Sequence, residues 1–321
     1  MARQNEKVPQ ELWNDYIVEK LRRTNPHFTL CHDESQHVKG GAVVYIPQAG
    51  ADPGITKNRN QFPATPAKRK DTVILYALDD FSTDPTQMPW AESMELSYDK
   101  TDSVLGSHTG ALSERLGDEM LYNWVRGFKP VSGGGTVAEY LPVSRQIGTT
   151  GALTAVNTDD GQTGQRKSLT YKELQKAQAR MNKDGVPKLG RYAMLESNML
   201  QEFIDSLSSN QMAAFQAAAD LKNGVVGTFA GFTILERSTV LSFKNANNEP
   251  IMPGEALGGD DNLACLLWQK DSVTKALGDI VLFQNLNDPT YYGDIYSGIV
   301  KAGGRCRRED WKGVLAIVQS K

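Results

Sequence analysis

Apolar side chains recur at every fourth position in one stretch of the chain: Leu112, Leu116, Met120 and Trp124, with Leu121 and Val125 beside them. That spacing predicts a long helix over Ser107–Arg126, and Gly127 stands where such a helix would stop. Gly110 and Gly117 each cost about 1 kcal/mol relative to Ala, so the helix must draw its stability from packing.

A different pattern precedes it. Gly41–Pro47 and Thr72–Leu78 are rich in Val, Ile, Tyr and Leu and read as two half-buried strands. Between them, Gln48–Asp71 carries Pro53, Pro63, Pro66 and the cations Lys57, Arg59, Lys68, Arg69 and Lys70. From Lys57 to Lys70 there is no acid, and Phe62 is the one large apolar side chain. Such a loop cannot bury itself. Loops beyond about 12–15 residues are usually functional or disordered, and one way to order this one is to lay it across a neighbouring subunit.

Further elements follow from the same patterns. Pro9–Arg23 reads as an amphipathic helix in a mobile arm, with Leu12, Trp13, Tyr16, Ile17 and Leu21 on its apolar face. Met94, Leu96 and Tyr98 alternate with polar residues and predict a strand. Thr170-Tyr171-Lys172-Glu173 has capping-box spacing and opens a helix bearing Leu174, Ala177 and Met181. Tyr192–Leu195 is a short strand with a helix from Ser197, and Gln211–Leu221 is an Ala-rich segment closing at Asn223-Gly224. Val225–Phe229, Phe232–Leu235 and Leu263–Trp268 read as strands, Val273–Leu277 as a helical turn, and Cys306–Arg308 with Val314–Val318 as a closing hairpin. Mixed strands and helices without a βαβ rhythm predict an α+β protein.

Composition narrows the possible functions. The chain has 321 residues, 40% hydrophobic and 23% charged, enough for a sizeable core. It contains no run of about 18 apolar residues, the signature of a membrane-spanning helix, and Met1–Gln10 lacks the apolar core of a secretory signal. A net charge of −3 argues against a protein that clamps nucleic acid on a basic face, though it suits a container that must not grip its contents. Cys31, Cys265 and Cys306 are too few and too dispersed for a disulfide framework.

Candidate chemistry is sparse. His27, Cys31, His32 and His37 place three of the four histidines within eleven residues, a conceivable zinc set, but their spacing matches no zinc module. The alternative is a polar turn between arm and hairpin. Gly133–Gly135 lacks the Lys and Ser/Thr of a phosphate-binding loop and reads as a flexible connection. Asn157–Gly161 misses calcium-loop spacing and reads as a turn. No G-x-S-x-G elbow occurs, and Asp79/Asp80 is an unaccompanied pair of loop carboxylates. No catalytic residues and no cofactor are expected.

The order of these elements resembles the major capsid proteins of tailed bacteriophages, which share the Hong Kong 97 fold. Trp13–Ile17 is similar to the start of the family's N-terminal arm. Val38–Pro47 resembles the ascent into its extended loop, and Leu112–Trp124 its spine helix. Met181–Pro187 with Gly190–Leu195 resembles a helix, turn and strand of the family, and Gly227–Phe232 a strand pair of its axial domain. Trp268–Leu277 and Tyr291–Val318 complete the likeness. The resemblance implies an arm over 1–40, an extended β-hairpin loop over 41–79, a peripheral domain over 80–127 and 291–321, and an axial domain over 128–290.

The resemblance also implies a protein that self-assembles into hexamers and pentamers of an icosahedral shell around double-stranded DNA. Such a shell is built in the host bacterial cytoplasm and becomes part of the virion, with scaffold, portal and decoration proteins as possible partners. The basic loop residues Lys57, Arg59, Lys68, Arg69 and Lys70 would then seek carboxylates on a neighbour. Glu114, Asp118 and Glu119 of the spine helix are the acceptors expected, and Phe62, Trp90 and Trp13 the apolar anchors. No cross-linking residues are carried over, because the loop lacks an obvious partner for a covalent bond. Two rivals are an encapsulin-like nanocompartment, of the same fold but enclosing an enzyme cargo, and a soluble metalloenzyme using the His27–His37 cluster.

Overall fold

A computed structural model describes residues 25–37, 43–50, 52–60, 62–63, 66, 68–89, 100–130, 136–156, 161–217, 219–220 and 225–321. The expected arm helix 9–23, the strand around Met94–Tyr98 and the loops 133–135 and 157–160 lie outside them.

The chain is α+β, as its patterns imply. Its strands are β1 (His32–Asp33), β2 (Val43–Gln48), β3 (Thr72–Ala77), β4 (Asp79–Ser82) and β5 (Thr86–Pro89), followed by helix α1 (Lys100–Asn123). Next come β6 (Arg126–Pro130), β7 (Thr136–Tyr140), β8 (Gln146–Gly148), β9 (Leu153–Ala155), β10 (Gln165–Lys167) and α2 (Tyr171–Lys183). Then follow β11 (Arg191–Glu196), α3 (Ser197–Asp205), α4 (Ser209–Gln216), β12 (Val225–Phe229), β13 (Phe232–Arg237), β14 (Leu241–Phe243) and β15 (Pro250–Ile251). The chain closes with β16 (Asn262–Gln269), β17 (Thr274–Asp288), β18 (Gly293–Gly303) and β19 (Val314–Val318).

Two sheets organise these elements. An eight-stranded sheet runs β12-β13-β11-β16-β14-β15, with β19 beside β16 and β8 beside β19. Its central strand β16 is buried along its whole length, which explains the unbroken apolar run Leu263–Trp268. Helices α2 and α3 press Leu174, Ala177, Met181, Met199, Leu200 and Phe203 against one face of this sheet. The capping box of α2 is present as expected, with both Thr170 and Glu173 bonded. The β12–β13 turn is Ala230-Gly231, both at positive φ, the geometry a two-residue hairpin requires.

The second sheet runs β1-β17-β18-β4, with β5 also on β18. It packs with α1, whose Leu112, Leu116, Met120 and Leu121 are buried. Trp124, fully buried just beyond the helix, stacks 5.2 Å from Trp268 and donates its indole N–H to the Thr274 carbonyl at 2.9 Å. Trp268 in turn donates to the Leu30 carbonyl at 3.0 Å. One aromatic pair thus joins helix, both sheets and the segment before β1. Gly117 earns its place on α1 here. A Cβ would lie 2.1 Å from Asn25 Oδ1, and the Asn25 amide donates to Ser113 O and Oγ at 2.6 and 2.9 Å.

Three sequence expectations are corrected. Helix α1 begins at Lys100 and ends at Asn123, and Gly127 lies within a strand, since Arg126–Pro130 pairs with Thr136–Tyr140. Val273–Leu277 is no helical turn but the entry to β17, drawn out by pairing with β18. The tail forms no hairpin: Cys306 bridges Val273, while β19 crosses to β16 and β8. Sheet membership groups 274–288 with 293–303, and 314–318 with 262–269. A strand joins whichever edge can satisfy its backbone, and that edge need not be close in sequence.

Candidate functional site

The chain's most distinctive surface is the β2–β3 hairpin and its loop. Alternation sends Val44, Ile46, Ile74 and Tyr76 to one face, where they bury with Leu78 and Ala276. The opposite face is apolar too, yet it lies in solvent: Tyr45 is 67% exposed and Val73 53%.

A polar clasp fixes the hairpin base. Tyr76 donates its hydroxyl to Glu34 Oε2 at 3.1 Å, and Glu34, nearly buried, faces Arg307 Nε at 3.3 Å. That ion pair is close in distance but not aligned as a hydrogen bond. Gln48 donates its amide to the Arg307 carbonyl. Burial, with the Glu34 charge behind it, pushes the Tyr76 phenol far above its usual range. Arg307, from the tail of the chain, thus seats the hairpin. The signal sequence reasoning missed was Glu34, an acid in a polar turn.

The loop neck is closed by Asp71, which accepts from Gly50 N at 2.8 Å and from Arg69 Nε at 2.5 Å. Those bonds to the carboxylate lower the Asp71 pKa. A Cβ on Gly50 would sit 2.2 Å from the Lys70 carbonyl, so the neck requires glycine. Beyond the neck everything described is exposed: Lys57, Arg59, Phe62 (78% exposed), Lys68 and Lys70. Among the described residues, none of Lys57, Arg59, Lys68 or Lys70 meets a carboxylate of its own chain.

The expected acceptors divide. Asp118 is held in its own chain by Arg237 at 2.6 Å, with both side chains largely buried. Burial raises its pKa despite that cation. Glu119 is mostly covered and lies 3.7 Å from Arg115. Only Glu114 of the three is exposed. Trp13 and Trp90 lie outside the described residues.

The zinc candidates do not converge. Among the described residues no three His, Cys, Asp or Glu are placed to hold a metal. His27 is fully buried, 5.2 Å from Phe28 and 5.9 Å edge-on to Trp124, and neither ring nitrogen has an aligned partner. Burial lowers its pKa to about 3, with the Arg237 charge adding to the effect. The Gly117 backbone favours the charged form but is too poorly placed to count as a hydrogen bond. Cys31 is buried and directs its thiol to the Phe28 carbonyl at 3.2 Å. Both residues are core. No described helix is long and apolar enough to cross a membrane.

No family model and no curated protein sequence matches the chain. Solved structures do match it in fold. The capsid of the cyanophage P-SCSP1u superposes with a TM-score of 0.59 at 16% identity, over 90% of this chain and 85% of that one. The capsid of Ralstonia phage GP4 gives 0.60 at 13% identity, over 91% and 87%. A chain of Mycobacterium phage Che8 gives 0.55 at 14%, over 90% and 89%. The chain therefore has the Hong Kong 97-like fold of tailed-phage capsids.

Proposed function

We propose that this protein is the major capsid protein of a tailed phage, self-assembling into an icosahedral shell around the double-stranded DNA genome. The observation that carries the reading is the likeness to phage capsid chains over about 90% of this chain and 85–89% of theirs. The hairpin adds a physical reason. It shows solvent a second apolar face and a loop in which Lys57, Arg59, Lys68 and Lys70 meet no carboxylate among the described residues, features a monomer has no use for. Exposed ion pairs contribute only about 0–1 kcal/mol each, so a shell built on them gains strength from repetition. Weak contacts that reverse also let a growing lattice correct its errors.

The protein would associate as hexamers and pentamers, in the host bacterial cytoplasm first and in the virion afterwards. Scaffold, portal and decoration proteins are the partners such a shell would engage. A net charge of −3 suits a lining that does not hold phosphate. No observation favours an enzyme cargo, and the metalloenzyme rival loses its ligand set.

Electron microscopy of the purified protein, with sedimentation alongside, tests the reading. Closed shells, sheets or capsomer rings are expected. Deleting Gly50–Arg69 should leave a folded monomer that builds none of them, and normal particles from that deletion would refute the role given to the loop.

A further inference from the structure

Helix α2 carries a ladder of cations with little beside it to neutralise them. Lys172, Lys176, Arg180 and Lys183 recur at spacings of four, four and three residues. That places them within about 80° of the helix circumference and along about 16 Å of its length. Lys188 follows on the turn after the helix. All five are exposed, while Leu174, Ala177 and Met181 on the other side of α2 are buried.

Between Ser168 and Leu195 the acids are Glu173 and Asp184, and both are engaged within the fold. Glu173 accepts from Thr170 N at 2.9 Å and from the Thr150 hydroxyl, and Asp184 accepts from the buried Arg145. Lys176 and Arg180 stand 4.0 Å from these occupied carboxylates. Among the described residues Lys172, Lys183 and Lys188 meet none. Cations elsewhere on the surface are matched: Arg115, Lys129, Lys244, Lys301, Lys312 and Lys321 each have a carboxylate within 4 Å.

The other side of the fold has the opposite character. Residues of β16 alternate between two cores, Ala264, Leu266 and Trp268 on the side of α1 and Leu263, Cys265 and Leu267 on the side of α2 and α3. On the α1 side, exposed Asp80 and Asp84 rim a groove between α1 and β4. A net charge of −3 thus conceals one cationic face.

We propose that this face of α2 is where the chain meets duplex DNA, through the phosphate backbone and without regard to sequence. The proposal rests on the capsid reading above, which supplies the enclosed duplex. Four of the five cations are Lys, flexible point charges that need no fixed fork geometry. Double-stranded DNA presents one charge per about 1.7 Å of axis, so about ten lie along the length of the ladder and any register serves. Such contacts are screened over about 8 Å at physiological salt and let a duplex slide. A wall lined this way keeps DNA close without gripping it.

Fluorescence anisotropy of a short labelled duplex, titrated with the full-length unassembled chain, tests the proposal. Between about 50 and 200 mM salt, the log of the binding constant should fall against log salt with a slope of about −3.6, four phosphates at about 0.9 each. Duplexes of unrelated sequence should give the same line. Lys172→Gln with Lys176→Gln should halve the slope, and Lys244→Gln with Lys301→Gln, exposed cations outside α2, should leave it unchanged. Circular dichroism checks that each variant is folded.

No binding to the duplex, an unchanged slope in the α2 variant or an equal fall in the control would each overturn the proposal. So would tighter binding of poly-L-glutamate than of DNA, which would assign the face to an acidic protein. Electron microscopy of the same samples separates this proposal from the assembly reading. The α2 variant should still build shells. If it builds none while the wild type does, α2 is a contact between copies and the proposal falls. A wild-type chain that binds DNA through α2 yet never associates would overturn the assembly reading alone.

Discussion

Arg166 and Arg59 are the same side chain in opposite circumstances. Arg166 is 2% exposed, and its guanidinium donates to Asn262 Oδ1 at 2.7 Å and to the carbonyls of Thr163, Gln165, Gly259 and Asp261. Arg59 stands in solvent with a 3.3 Å contact to Thr56 Oγ1. The contrast extends to their surroundings. Beside β16 the buried guanidinium of Arg166 finds its partners within the chain, because an unsatisfied buried donor costs about 1–3 kcal/mol. Along the β2–β3 loop Lys57, Arg59, Lys68 and Lys70 meet no carboxylate among the described residues, and Phe62 stands in solvent. The difference separates residues whose polar groups are satisfied within the fold from residues that face solvent.

That comparison can be broken on its folding side first. Trp268→Ala removes the indole that joins both sheets through Trp124 and Leu30, and should cost about 3–5 kcal/mol. Urea unfolding of the unassembled chain would read it, and a loss below about 1 kcal/mol would mean this pair does not hold the sheets together.

A smaller effect lies at His27. Its folded pKa of about 3 is below the ordinary value of 6.5, so the unfolded chain binds the extra proton. Its contribution is complete above about pH 6.5 and declines as pH falls towards 3. Between pH 7.5 and pH 5 the loss is about 2 kcal/mol. His27→Phe should flatten the pH profile of unfolding stability by that amount, and an unchanged profile would show the ring is not buried neutral.

The smallest effect sharpens the boundary between the two regions. Tyr76→Phe deletes one hydrogen bond to the Glu34 carboxylate, about 1.5 kcal/mol. Amide exchange should quicken in β2 and β3 while β16 stays unchanged. Equal quickening in both would mean that hairpin and core open as one unit.

Local signals were legible. Thr170 and Glu173 cap α2 because they sit three residues apart, and Gly231 turns the β12–β13 hairpin because its backbone needs positive φ. The Leu112–Trp124 spacing located α1, and the loop's cations and Phe62 marked an exposed surface. These are properties of a few neighbouring residues, and the chain cannot avoid expressing them. Partner choice was not legible. Val314–Val318 reads equally as half of a tail hairpin or as a strand beside β16, and only the open edge there decides between them. Asp118 looks like any helix-surface acid until Arg237 reaches it from β13. Asp80 and Asp84 became a groove rim only when β4 and β18 brought them alongside α1. The sequence by itself determined which segments are helix, hairpin and exposed loop, since backbone propensity and burial period act over a few residues. Only the tertiary structure decided which edges pair, which charges neutralise one another and which acids stay exposed, because those depend on distances that chain order does not set.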